Sequence, residues 1–363
     1  MNPMSRIALA GALTLAVFAS RGRAEEPPPE EAAAHGQVAR YQIGTGPRSY
    51  WLFEPADPRP ENAPVVVFLH GWFSVNPAFY GAWIDHLVRD GKTVVFPRYQ
   101  NDVGTLPRDF LPNALHAVRD ALGVLRSGRG HVRPAAGKFA LIGHSAGGNL
   151  AAQLAALSAD PGVGLPEVKA VTAFFPGEVL PSREPSFDRI PATTLLVVAV
   201  GQDDVVVGDR HGRRIFAEAT SVPRERKRFL FYRTDRHGHP ALVADHMAPT
   251  GANARLDDGE GVLRALQLGL GSVDALDRAG FWRVADATLA AGFAGGNLDE
   301  AAADAEAFVN LGYWSDGRKV AAPVLTDELD SAPRVILSNG IRVIPWDLDL
   351  RSVFDVGSSA VAR

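Results

Sequence analysis

Between residues 40 and 232 the chain alternates short apolar runs with segments of helical periodicity. Arg40-Tyr-Gln-Ile-Gly and Ser49-Tyr-Trp-Leu-Phe-Glu, separated by Gly44, Gly46 and Pro47, predict an antiparallel opening hairpin. Pro64-Val-Val-Val-Phe-Leu-His-Gly-Trp differs: it is apolar without alternation, as expected of a strand covered on both faces in a largely parallel sheet. Similar runs at 93–97, 139–142, 168–175, 193–200 and 229–232 interleave with helix-like stretches at 77–89, 111–125, 149–157 and 209–219. Alternating strands and helices predict an α/β fold with a doubly wound, mostly parallel sheet, whose ligands sit at the carboxyl ends of the strands. The stretch between Phe175 and Thr193 is too short to insert a helical cap domain. Beyond the sheet, residues 261–270 and 273–290 read as helices, with Phe281, Trp282 and Leu289 as apolar surface for core packing. Asn339-Gly340 marks a tight hairpin turn in the tail.

One junction carries candidate chemistry. The run 139–142 stops at Gly143-His144-Ser145-Ala146-Gly147, and an Ala- and Leu-rich helical stretch follows. In a strand, sharp turn and helix of this kind, glycines on either side let the two elements approach closely, and the central serine hydroxyl stands at the end of the sheet. The new helix aims its unpaired N–H groups at the place where an oxyanion would form.

Three further strand ends supply partners. Gly201-Gln-Asp203-Asp204-Val-Val sets two carboxylates just past a buried strand, where an acid that orients a histidine is wanted, and Asp204 is the expected one. The run ending at Tyr232 leads into Arg233-Thr-Asp235-Arg-His237-Gly-His239-Pro, with His246 further on. Position favours His237 as the base, because a short loop from Tyr232 carries it over the sheet edge, whereas His246 requires the intervening residues 238–245 to fold back compactly. His239 is stiffened by Pro240. A competing reading takes His237, His239 and Asp235 as metal ligands, but no third nitrogen-rich cluster completes that set. The third strand end is His70-Gly71-Trp72: the backbone N–H groups of Trp72 and Ala146 fit the two oxyanion donors, and His70 reads as a structural hydrogen-bonding residue.

Composition narrows the context. The 363 residues carry a net charge of −4 and no dense basic run, which gives no pull toward nucleic acid or anionic lipid. No cysteine is present, which removes disulfides, a thiolate nucleophile and cysteine-ligated metals. Residues 1–24 read as a secretory signal, with an arginine near the terminus and an apolar run too short to span a bilayer comfortably. The division expected is thus signal 1–24, solvated Pro/Glu linker 25–36, an α/β domain 37–290 and a C-terminal extension 291–363 packed on it. The product would be exported, periplasmic or secreted, without stable membrane insertion.

The residues His70-Gly71-Trp72, Gly143-His-Ser-Ala-Gly-Gly148, Gly201-Gln-Asp-Asp204 and the post-strand His237 resemble the α/β-hydrolase superfamily over about residues 40–250. Within it the likeness is to the cutinase, lipase and dienelactone-hydrolase-like branch, which includes polyester hydrolases. Ala-Asp-His246-Met-Ala-Pro locally resembles the Ser-His-x-Ala-Pro around the catalytic histidine of some cutinases, in conflict with the positional argument for His237. Departures are the missing disulfides of many secreted cutinases and the long C-terminal extension. The resemblance implies a serine esterase using Ser145, Asp204 and His237, with Trp72 and Ala146 at the oxyanion, no cofactor or metal, and a small-molecule or polymeric ester as substrate. A peptidase of the prolyl-oligopeptidase-like type, or a binding protein on the same scaffold, are the alternatives.

Overall fold

A computed structural model of the chain describes residues 33–101, 104–178, 185–261 and 264–335. The expected signal, most of the linker and the Asn339-Gly340 turn lie outside the described residues. The opening hairpin is β1 (Gln37–Ile43) and β2 (Tyr50–Ala56), antiparallel with Ile43 opposite Tyr50. It joins a sheet built from β3 (Asn62–Leu69), β4 (Thr93–Pro97), β5 (Arg133–His144), β6 (Ala170–Phe174), β7 (Leu195–Gly201) and β8 (Lys227–Tyr232), all mutually parallel. The C-terminal β9 (Val324–Thr326) closes the far edge antiparallel to β8, so the spatial order is β1-β2-β4-β3-β5-β6-β7-β8-β9. This is the doubly wound, mostly parallel α/β-hydrolase arrangement that the sequence predicts.

The missing alternation in β3 has a direct cause. Val66 and Phe68 face a core completed by Trp83 and Ile84 of α1 (Gly81–Arg89) and by Leu289 of α6 (Arg283–Ala294). Val65, Val67 and Leu69 face the other core, with Val118 of α2 (Phe110–Ser127), Leu150 of α3 (Ala146–Leu157) and Phe216 of α4 (Arg210–Glu218). Both faces are buried, so both sets of positions are apolar. A further short helix, α5 (Arg264–Leu270), precedes a π-helical turn, Leu276–Trp282, that runs into α6. Phe281 on that turn packs edge-on against Phe174 and Phe175 and lies 4.5 Å from the Tyr232 ring, which makes it a core residue.

The start of β5 departs from the pattern: pairing with β3 begins at Arg133 opposite Asn62, slips between Ala63 and Val65, and resumes with Phe139 opposite Val65. Only the second part is covered on both faces, which is why only residues 139–142 read as an apolar run. In the C-terminal part, buried Arg213 bonds Asp209 at 2.6 Å and donates to the carbonyl oxygens of Leu329 and Ala332, which ties residues 329–333 to α4.

The junction of β5 and α3 is built on two glycines. A methyl group on Gly143 would lie 2.1 Å from the Gly147 carbonyl oxygen, and one on Gly147 would lie 2.1 Å from that of Leu69. These contacts are with backbone, which cannot swing aside. Gly147→Ala is therefore expected to destabilise the protein by about 2 kcal/mol or more. Gly123→Ala, on α2 with nothing within 4 Å of the added methyl, should instead be neutral or stabilising by about 0.5–1 kcal/mol. Urea midpoints with an unchanged slope read both effects.

Candidate active site

Ser145 occupies the turn between β5 and α3 with φ +57° and ψ −126°, a region that side-chain-bearing residues rarely enter. Its N–H donates to the Phe174 carbonyl at 3.0 Å, and its own carbonyl accepts from Gly148 and Gly177 at 2.9 and 3.1 Å, so main-chain bonds on both sides hold the strained turn. The side chain stands at the carboxyl end of the sheet, where α3 begins at Ala146.

Asp204 follows β7 and is fully buried. One carboxylate oxygen accepts the N–H groups of Val206 and Val207 at 2.9 and 3.0 Å, and the other lies 2.9 Å from His246 Nδ1. The neighbouring Asp203 is turned away, accepting from Thr234 at 2.8 Å and Arg236 at 2.5 Å. His246 Nε2 lies 2.9 Å from Ser145 Oγ. A carboxylate only accepts, so Nδ1 carries the proton, and the lone pair of Nε2 faces the serine hydroxyl. Hydroxyl, imidazole and carboxylate thus form one buried chain that can take a proton from Ser145.

His246 stands where the sequence reading set His237. His237 is exposed: its Nε2 meets Asp316 at 2.7 Å, and Arg318 donates to its Nδ1 at 3.1 Å. The physical reason is a closed excursion in the chain. Asp235 and Leu242 exchange both backbone hydrogen bonds, at 2.8 and 2.9 Å, so residues 236–241 leave the sheet edge and return to it. His237 and the exposed His239 are carried outward on this loop. After Leu242 the chain crosses the end of β7, where Asp203 N–H donates to the Ala244 carbonyl at 3.0 Å and Ala244 N–H donates to Thr234 Oγ1 at 3.0 Å. Gly201 makes this crossing possible, because a methyl there would lie 2.4 Å from the Ala244 oxygen. The compact fold-back that counted against His246 is what occurs, and the local sequence around His246 was the signal for it.

The other expected residues are placed as follows. Gly71-Trp72-Phe73 passes over the serine, since a methyl on Gly71 would come within 3.4 Å of Ser145 Cβ. The loop is shaped by Ser74 N–H to the Gly71 carbonyl at 3.0 Å and by Phe73 N–H to Gln100 Oε1 at 2.9 Å, with Phe73 at φ +67°. Trp72 stacks on Phe73 with ring centroids 5.2 Å apart. Ala146 is the first residue of α3, whose opening N–H groups have no carbonyl one turn earlier. Burial pushes the His70 pKa down to about 4, against backbone carbonyls at both ring nitrogens, Gly71 at 2.6 Å from Nδ1 and Arg98 at 2.8 Å from Nε2, and the ring stacks on Tyr99 at 4.1 Å. Gly177 and Val207 form a wall that the sequence did not suggest: a methyl on Gly177 would lie 3.8 Å from Ser145 Oγ. The Asp235 carboxylate, one of the alternative metal ligands, accepts instead from Trp314 Nε1, Ala321 N–H and His237 N–H at 3.0, 2.9 and 2.9 Å.

Residues 66–209 match a family model described as the alpha/beta hydrolase fold. The match spans His70, Ser145 and Asp204 and ends before β8, so the loop with His237 and His246 lies outside it. No curated protein matches the chain. Topology and family match together give the chain the α/β-hydrolase fold and single out no branch within it.

The anchoring of the excursion titrates. Burial raises the Asp235 pKa, but the bonds from Trp314, His237 N–H and Ala321 N–H, with Arg318 nearby, outweigh it and hold the carboxyl below its ordinary value. A carboxyl so depressed contributes stability above the unfolded value near pH 4, and the contribution is lost as pH falls through the folded value. Asp235→Asn should therefore be less stable than the parent at pH 7, and the gap should close as pH drops below about 4. Urea midpoints across that range measure it; a gap independent of pH would trace the loss to hydrogen-bond geometry alone.

Proposed function

We propose that this chain is an exported serine hydrolase that cleaves a carboxylic ester through an acyl-enzyme intermediate. One observation carries the reading: Ser145 Oγ, His246 and Asp204 are linked by two contacts of 2.9 Å at a strained strand-to-helix turn. In this mechanism Ser145 Oγ attacks the ester carbonyl as His246 Nε2 takes its proton. Asp204 holds the imidazole tautomer and stabilises the imidazolium. The tetrahedral oxyanion is met by the N–H groups of Trp72 and Ala146. His246 returns the proton to the leaving alkoxide, and a water molecule then repeats the sequence on the acyl-enzyme. The triad generates its own nucleophile, so the chemistry calls for no metal or organic cofactor.

Val207 packs beside Gly177 close to Ser145 Oγ and gives that side of the serine an apolar character suited to an uncharged ester, small or polymeric. The likeness to cutinases and lipases in the residues around Ser145 and His246 supports the same substrate class. Export rests on the character of residues 1–24.

Ser145→Ala should lower kcat on a p-nitrophenyl ester by about 10⁴-fold, and His246→Ala by about 10³-fold or more, with folding retained by circular dichroism. His237→Ala should cost less than about tenfold. Turnover that survives His246→Ala and collapses in His237→Ala would overturn the assignment. Hydrolysis of a peptide anilide in preference to the ester would transfer the protein to the peptidases, and activity that chelation removes and a divalent metal restores would refute the metal-free mechanism.

A further inference from the structure

Behind Ser145 runs a series of buried hydrogen bonds that the chemistry above does not use. His144 Nε2 lies 2.8 Å from the backbone carbonyl of His246, and His144 Nδ1 lies 2.8 Å from Tyr80 Oη. Gly71 N–H donates to the same Tyr80 oxygen at 2.8 Å. On the same loop, Ser74 Oγ accepts from Gln267 Nε2 at 3.0 Å.

The direction of every bond follows from one fixed point. A carbonyl oxygen only accepts, so the His144 proton sits on Nε2. Burial, together with the adjacent His246 ring, holds the His144 pKa well below its ordinary value, so the ring is neutral and has one N–H. Nδ1 is then a lone pair and Tyr80 must donate to it. Burial raises the Tyr80 pKa, which keeps that proton on the phenol. The Tyr80 oxygen is left to accept from Gly71 N–H. No two donors face each other.

We propose that Tyr80 and His144 are positioning residues that lock the oxyanion loop and the base His246 to the same strand end as Ser145. One end of the relay holds the backbone of Gly71, next to the expected oxyanion donor Trp72. The other holds the backbone of His246, which otherwise rides on a long connection after β8. His144 precedes Ser145 in the chain and ends β5, so both halves are referred to the residue beside the nucleophile. The catalytic consequence rests on the serine-hydrolase reading; the relay itself does not.

Tyr80→Phe keeps the ring and removes the bridging hydroxyl. It should lower kcat by about 10–100-fold with KM within about threefold, because misplacement of catalytic groups by a fraction of an ångström acts on the transition state rather than on ground-state binding. Labelling of Ser145 by a fluorophosphonate should slow by a similar factor. In a cycle with His144→Leu, the double variant should be no slower than His144→Leu alone, since the two act as one unit. Unchanged kcat with a lowered melting temperature, or a loss confined to KM, would reduce the pair to core packing and overturn the proposal. Nitrogen-15 NMR of the parent supplies a readout independent of turnover: His144 should be the neutral Nε2–H tautomer, and Nδ1–H would refute the relay whatever the substrate. A parent protein whose Ser145 takes no fluorophosphonate would count instead against the hydrolase reading.

Discussion

The close approach of α3 to the ends of β3 and β5 is the contact on which the rest depends. Leu69 pairs with Gly143 across the two central strands, and α3 starts where Gly147 rests against the Leu69 carbonyl with no room for a methyl group. That approach forces the backbone of Ser145 into a strained conformation and aims its side chain out of the sheet. Strain of this kind costs on the order of 1–3 kcal/mol and persists only where the surroundings over-determine it. Here they do, through the main-chain bonds of Ser145 to Phe174, Gly148 and Gly177 and through a helix buried along almost its whole length.

From that fixed point the site is assembled by loops whose backbone polar groups are satisfied by one another. Asp204 is shaped by the N–H groups of its own following residues, so its free oxygen is committed to His246 before any substrate arrives. The His246 segment is held by Asp203 and Thr234 from below and by His144 from the side. Each of these partners lies at the carboxyl edge of the sheet, where β3 and β5 end and the register carries β7 and β8 on to Gly201 and Tyr232. Elements past the sheet contribute to the same edge: Trp314 and Ala321 bond Asp235 at the root of the outward loop, and Trp314 lies against Gly238 on it. The C-terminal segment thereby grips the excursion that leads to His246.

Much of this was legible in the chain itself. Unbroken apolar runs at 65–69, 139–142 and 195–200 report strands covered on both faces, because burial on two sides leaves no position for a polar side chain. Gly143, Ser145 and Gly147 report a tight strand-to-helix turn, because only glycine fits where backbones touch. The place of Asp204, just past a buried strand and 2.9 Å from His246 Nδ1, is written in the same local way. These are local constraints, written within a few residues of where they act.

Which histidine faces Ser145 was decided only by tertiary structure. Sequence distance from Tyr232 favoured His237, but distance along the chain measures displacement only when the chain advances, and the Asp235 to Leu242 pairing returns it to its starting point. That pairing depends on Trp314, Ala321 and the end of β7, partners from 41 to 86 residues away that no local pattern announces. The same holds for Tyr80, which closes a short 3₁₀ turn, Pro77–Tyr80, at the start of the predicted helical stretch and reaches His144 across a sequence separation of 64 residues. Close packing and backbone pairing write themselves into short stretches of sequence; which of three nearby histidines faces the serine is set by contacts that exist only after the sheet has formed.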